Sequence, residues 1–243
     1  MTNKTQDLET MVARWEDQRE LKNLMGKYAN CVVLNREGEL FDLFWAKDDE
    51  DVCLAFNDGY YKGGLDVSGY YEAAAGRNAL VASLLRDRFP EKLGAMGDDE
   101  IYGIGPFKVK PMSCPVIEIA GDGRTAKGLW YCQGASNEVG AAGPVANWTW
   151  GYFAVDFVRQ NSWRILHLMH VNDVDSTCGQ SWGKPQVPYP DLPEFAPLGE
   201  FRYPPYTKAL TVRPYYSPGR PMVPAPRIPQ PYTTFSETFS YGF

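Results

Sequence analysis

Histidine is almost missing from this chain. His167 and His170 are the two it carries in 243 residues, so any imidazole-based acid–base step must use one of them. Cysteine is sparse and scattered: Cys31, Cys53, Cys114, Cys132 and Cys178 are odd in number, lie far apart and form no CxxC pair. That pattern indicates neither a disulfide framework nor a zinc site, and it fits a reducing cytoplasm. A basic excess is also absent. With a net charge of −6 and its lysines and arginines dispersed, the chain has no field to hold phosphodiester backbones, and nucleic acid is not an expected partner. No apolar run is long enough to span a bilayer, and Met1 to Thr10 is polar, so the expectation is a soluble cytoplasmic protein with no membrane partner and no visible export signal. No internal repeat and no nucleotide signature occur. Gly103-Ile104-Gly105 is too short for a dinucleotide fingerprint, and no metal or other cofactor is expected.

What is abundant lies at the end. From about Gln180 to Phe243 the chain holds fourteen of its 19 prolines, and each fixes its own φ and removes a backbone donor, so neither helix nor central strand runs through them. The same stretch carries Tyr189, Phe195, Phe201, Tyr203, Tyr206, Tyr215, Tyr216, Tyr232, Phe235, Phe239, Tyr241 and Phe243. Aromatics of this number have apolar area to bury, unlike the residues of a free tail. The segment reads as an extended arm, residues 180–243, that wraps its own domain or a neighbouring subunit and supports a homo-oligomer, dimer or trimer. Residues 1–179 remain as one folded domain with a core.

Within that domain the hydrophobic period changes from helix to strand. Leu8, Met11, Val12 and Trp15, followed by Leu21, Leu24, Met25, Tyr28 and Val32, predict a long amphipathic helix. Leu40 to Trp45 predicts a short second helix, Val52 to Phe56 a first strand, and Arg77 to Phe89 a third helix with Leu80, Val81, Leu84 and Leu85 as its stripe. Phe107 to Met112, Val116 to Ala120, Gly128 to Gln133, Trp148 to Arg159 and Trp163 to Val171 are strand-like, with turns at Gly121-Asp122-Gly123 and Gln160-Asn161-Ser162. Helices followed by an antiparallel meander give an α+β fold.

Several strings, in this order and spacing, carry a resemblance. They are Lys27-Tyr28-Ala29, Pro115-Val116-Ile117-Glu118-Ile119, Ala126-Lys127-Gly128-Leu129-Trp130 and Ser162-Trp163-Arg164-Ile165. The stretch from Trp15 to Asn172 resembles the nuclear-transport-factor-2-like superfamily, in particular its SnoaL-like branch, which includes scytalone dehydratase, ketosteroid isomerase and polyketide cyclases. The resemblance implies a strongly curved antiparallel sheet forming a cone around a long N-terminal helix, with an apolar pocket inside. It implies a cofactor-independent dehydratase or isomerase acting on a flat hydrophobic aromatic or polycyclic molecule, or a non-catalytic binding or oligomerisation protein of the same fold. Tyr28 occupies the place of the family's helical tyrosine. Val33, Leu34 or Asn35 stands where the family has an acid, and Val109 to Ser113 holds no histidine, although Lys110 lies close to that position.

The candidate catalytic residues are therefore Tyr28, His167, His170, Lys110 and Asp173. On a straight strand His167 shares a face with Trp163, Ile165 and Met169, and His170 shares the other with Arg164, Leu166 and Leu168. Which face looks inward stays open at this point. Trp130, Trp148 and Trp150 are candidate pocket walls for a flat ligand, with Tyr102 near the mouth and Asn35 a further ligand-binding candidate.

Overall fold

The computed structural model is an α+β assembly that describes residues 2–102, 107–140, 143–179, 201–224 and 226–243. It opens with α1 (Thr2–Val33), whose C-terminal half is held to the rest of the chain. Asp17 accepts from the Trp163 indole N–H at 3.1 Å and pairs with Arg159, and Leu21, Leu24, Met25 and Tyr28 are buried. Leu8, Met11, Val12 and Trp15 continue the stripe in sequence but remain between 50% and 66% exposed, ahead of the buried stripe of Leu21, Leu24, Met25 and Tyr28. The helix closes where Asn35 takes a left-handed φ of 58° and the Arg36 N–H reaches back to the Cys31 carbonyl at 2.9 Å. Asparagine tolerates that conformation, so it serves here as glycine commonly does.

After α2 (Leu40–Phe44) and the hairpin of β1 (Cys53–Phe56) and β2 (Gly59–Lys62), α3 runs from Gly64 to Arg88. It starts well before the expected Arg77, and its buried stripe is Val67, Tyr71, Ala74, Asn78 and Val81. Leu84, expected to be buried, is 36% exposed. Two short helices, α4 (Pro90–Leu93) and α5 (Asp98–Tyr102), lead to the main strands.

Three long strands dominate the sheet: β5 (Thr125–Gly140), β6 (Gly143–Arg159) and β7 (Trp163–Thr177), paired antiparallel. β3 (Phe107–Val109) and β4 (Met112–Ile119) both pair with the same strand, β5, and Pro111 separates them. β1 lies against β7 in parallel, so the sheet is mixed where the sequence reading expected a purely antiparallel one. The order is β3-β5-β6-β7-β1-β2-β8, in which β8 (Lys208–Ala209) is contributed by the arm.

Alternation on the regular strand β6 defines two faces. Phe153, Val155 and Phe157 join Leu21, Met25, Tyr28, Trp45 and Tyr71 in the main core, and this is the inner face, covered by the helices. Tyr152 and Ala154 join Leu129, Val171 and Tyr241 in a second cluster on the outer face, covered by the arm. Tyr232 and Thr233 carbonyls accept from the Gly121 and Asp122 N–H groups at 2.9 and 3.1 Å. Burying each large side chain on either face contributes about 1.5–3 kcal/mol.

Candidate active site

The inner face brings together three of the five catalytic candidates. His170 pairs in register with Phe153, so it points inward with it. Their rings stack at 4.3 Å and 7°, and Phe56 meets the imidazole edge-on at 5.9 Å. Lys110 follows β3 and donates from its Nζ to His170 Nε2 at 3.3 Å. The lysine stem passes over Gly134, where an added Cβ would lie 3.3 Å from Lys110 Cγ and 2.2 Å from Thr149 Oγ1. Burial first, and the Lys110 charge second, hold the His170 imidazole well below its ordinary 6.5. The ring is therefore neutral at physiological pH, with its Nε2 lone pair directed at the ammonium.

Tyr28 reaches the same space from α1. Its ring meets Phe153 at 6.2 Å and Phe44 at 6.0 Å, both edge-on, and its hydroxyl lies 2.9 Å from that of Tyr71. Burial pushes both phenols up, so each stays protonated and able to donate. Phe153 thus contacts both the imidazole and the phenol.

Two further polar clusters border this region. Glu37, after α1, accepts from Lys108 at 2.6 Å and from the Asn78 amide at 3.0 Å. Asp175, in register with the inward Thr149, accepts from the Asn147 amide at 2.8 Å. Neither Tyr71, Glu37 nor Asn78 was singled out from sequence. For Tyr71 and Asn78 the signal was the alternating four- and three-residue spacing of Val67, Tyr71, Ala74, Asn78 and Val81, which the turn-like Gly63-Gly64 obscured.

The other candidates lie elsewhere. Straight alternation groups His167 with Ile165, but β7 carries a bulge at Leu166, between the Asp156–His167 and Phe157–Ile165 pairs. Ile165, Leu168 and His170 consequently share the inner face and His167 turns outward. There its Nδ1 meets Asp156 at 2.9 Å and its Nε2 meets the Asp51 carbonyl at 3.0 Å. Asp173 is the extra residue of a second bulge and accepts from Arg213 Nε of the arm at 2.6 Å. Trp148 and Trp150 share the outer face with Tyr152, stacked at 6.2 Å, with Trp148 42% exposed, so they are not inner walls. Trp130 is buried on the inner face, edge-on to Phe157 at 6.2 Å. Asn35 caps α1 and its carbonyl accepts weakly from Asn78 at 3.4 Å. Tyr102 ends α5, and its side chain lies outside the described residues, as do Gly103 to Gly105. Among the described residues no group of three His, Cys, Asp or Glu side chains is placed to hold a metal, and no helix is long and apolar enough to cross a membrane.

No protein-family model matches this sequence, and no curated protein matches it significantly. Solved structures do. A protein from Novosphingobium aromaticivorans provisionally named scytalone dehydratase is 11% identical, with a TM-score of 0.48 over 70% of this chain and 93% of its own. The hexachlorocyclohexane dehydrochlorinase LinA-type3 of Novosphingobium barchaimii is 12% identical, with a TM-score of 0.44 over 72% and 96%. An NTF2-like protein with a cystatin-like fold from Novosphingobium aromaticivorans is 15% identical, with a TM-score of 0.38 over 72% and 91%. At TM-scores below 0.5 these structures say nothing of chemistry, which rests on this chain's own side chains.

Proposed function

We propose that the chain is an acid–base catalyst, a lyase or isomerase working without a cofactor on a flat hydrophobic aromatic or polycyclic small molecule held against the inner face. His170 carries this reading. An imidazole kept neutral by its surroundings, set among Phe56, Phe153 and Lys110, has the properties of a general base.

In the scheme, His170 Nε2 takes a proton from a carbon next to a substrate carbonyl. The C–H electron pair moves onto the carbonyl oxygen, and a phenol of the Tyr28–Tyr71 pair turns to donate to that developing oxyanion. Return of the proton from the imidazolium to a different carbon completes an isomerisation. Collapse of the enolate with departure of a β-hydroxyl, protonated by the same imidazolium, completes a dehydration, with water as the leaving species.

The test is hydrogen exchange. Aromatic and steroid-like ketones incubated with the protein in deuterium oxide are expected to lose their α-proton signal, and His170→Asn is expected to slow that loss at least ~100-fold with an unchanged circular dichroism spectrum. Exchange that persists in His170→Asn sinks the assignment. One observation favours a binding-only role instead: the Tyr28 and Tyr71 hydroxyls already satisfy each other. That role is indicated if ketones shift the His170 resonances while no exchange occurs.

A further inference from the structure

Lys110 has an unusual situation for a partly buried ammonium. Its hydrogen bond goes to the neutral His170 ring at 3.3 Å, and among the described residues no carboxylate pairs with it. Carboxylates that reach the same face are held by other groups: Glu37 by Lys108 and Asn78, and Asp175 by Asn147. A charge withdrawn from water without a counter-charge is unfavourable, and a charge-assisted bond to a ligand oxygen relieves that cost. Phe56 and Phe153 set a flat apolar wall against the imidazole that Lys110 touches, and Thr149 lies beside the lysine stem at Gly134.

We propose, resting on the reading of this face as the active site, that its ligand is an organic oxyanion on a flat apolar body and that Lys110 is the counter-ion. A carboxylate, an acidic phenol and an enol share the chemistry that Lys110 recognises. Lysine suits the task because its flexible stem and three donors let one ammonium change partners. Gly134 leaves the stem the track along which it swings, since a Cβ there would press on Lys110 Cγ at 3.3 Å.

This arrangement couples binding to basicity. Without ligand the ammonium donates into the Nε2 lone pair and blocks it. When an anionic oxygen draws the ammonium away, Nε2 is released as a proton acceptor beside the bound molecule. A neutral ketone of the same shape draws the ammonium more weakly through its carbonyl oxygen, and frees the base less fully than an anion does.

Matched pairs of neutral and anionic probes test the proposal: 2-naphthoate against 2-naphthamide, and salicylate against salicylamide. Binding to the full chain is followed by ¹H–¹⁵N NMR of the His170 ring. The carboxylates are expected to bind at least tenfold more tightly than the amides and to shift Nε2 away from its hydrogen-bonded position. Lys110→Gln is expected to abolish the preference and Lys110→Arg to retain it. Equal binding of acid and amide, or a preference that survives in Lys110→Gln, overturns the counter-ion assignment and leaves the acid–base site standing. Absence of any His170 shift with all four probes, together with a failure of ketone exchange, overturns the site itself.

Discussion

His167 and His170 lie three residues apart on one strand and meet opposite chemistry. The inward ring is stacked on Phe153 and kept neutral, whereas the outward one has oxygen acceptors at both nitrogens, Asp156 and the Asp51 carbonyl. The inward ring gives a pH dependence whose sign is fixed. Because the folded state holds His170 well below 6.5, the unfolded chain takes up the proton first as pH falls. Its contribution to stability is complete above pH 6.5 and is lost progressively as pH drops from there through its own lower value. The urea midpoint is expected to fall below pH 6.5, and His170→Asn to flatten that part of the profile. A slope unchanged in the variant means that other groups carry it. The phenol pair gives a second prediction at this scale. Tyr28→Phe or Tyr71→Phe leaves the remaining buried hydroxyl without its partner at 2.9 Å, at a cost of about 1–3 kcal/mol, while replacing both removes the unmet group. The double variant is expected to be less destabilised than the sum of the singles, as measured by urea denaturation in a double-mutant cycle.

At the scale of elements, the bulges on β7 decide which residues face the site. Gly151 lies at one of them, where an added Cβ would fall 2.0 Å from the Val171 carbonyl oxygen and 2.7 Å from Asn172 Cα. Both are backbone atoms that cannot step aside. Gly151→Ala is expected to break the pairing of β6 with β7 around Asn172, seen as lost amide protection of Gly151 to Val174, and to lower the melting temperature. Protection equal to the parent's rules out this account of the register. The bulges also mark the limit of what the sequence discloses. Hydrophobic period and turn residues are local, so α1, the β5-to-β7 meander and the turns at Gly121 and Gln160 were legible in outline. A bulge is a property of two strands together, and nothing in Trp163 to Val171 alone announces that Leu166 shifts the alternation. The parallel neighbour β1 was hidden for the same reason, and Tyr71 because glycines at positions 63 and 64 read as turn rather than as the start of α3. Tyr28, His170 and Lys110 were legible through their residue types and the resemblance. The convergence of Tyr28 and His170 on Phe153, with Lys110 on the imidazole, required the fold.

For the molecule as a whole, the arm completes the outer face. Asp156 is wholly buried and takes four donors: Lys127 at 2.5 Å, His167 at 2.9 Å, and from the arm Ser240 Oγ at 3.1 Å and the Tyr241 N–H at 2.7 Å. Lys127 is equally inaccessible, with Phe235 at 4.5 Å and Phe239 at 4.7 Å from its ammonium and Tyr241 and Tyr232 slightly farther. Arg213 ties the arm down a second time, through Asp173, the Val223 and Pro224 carbonyls and the Tyr152 ring. Tyr203, Tyr216 and Phe243 stay more than a third exposed, and Tyr189 and Phe195 lie outside the described residues. Tyr241 is buried, and Tyr232, Phe235 and Phe239 half-buried, against the chain's own sheet, over a buried ion pair whose desolvation they deepen. Such a pair tolerates loss of one member poorly, because the other is left as an unmet buried charge costing about 3–5 kcal/mol. Asp156→Ala is accordingly expected to be far more damaging than Ser240→Ala, which removes one of four donors. Both should release the arm before the sheet unfolds, read as faster proteolysis after Arg227 while far-ultraviolet circular dichroism is kept. Replacing Lys127 and Asp156 together by Met and Leu is expected to recover most of the stability lost in Asp156→Ala. If the double variant is as unstable as the single, the ion pair is not what makes the outer face depend on the arm.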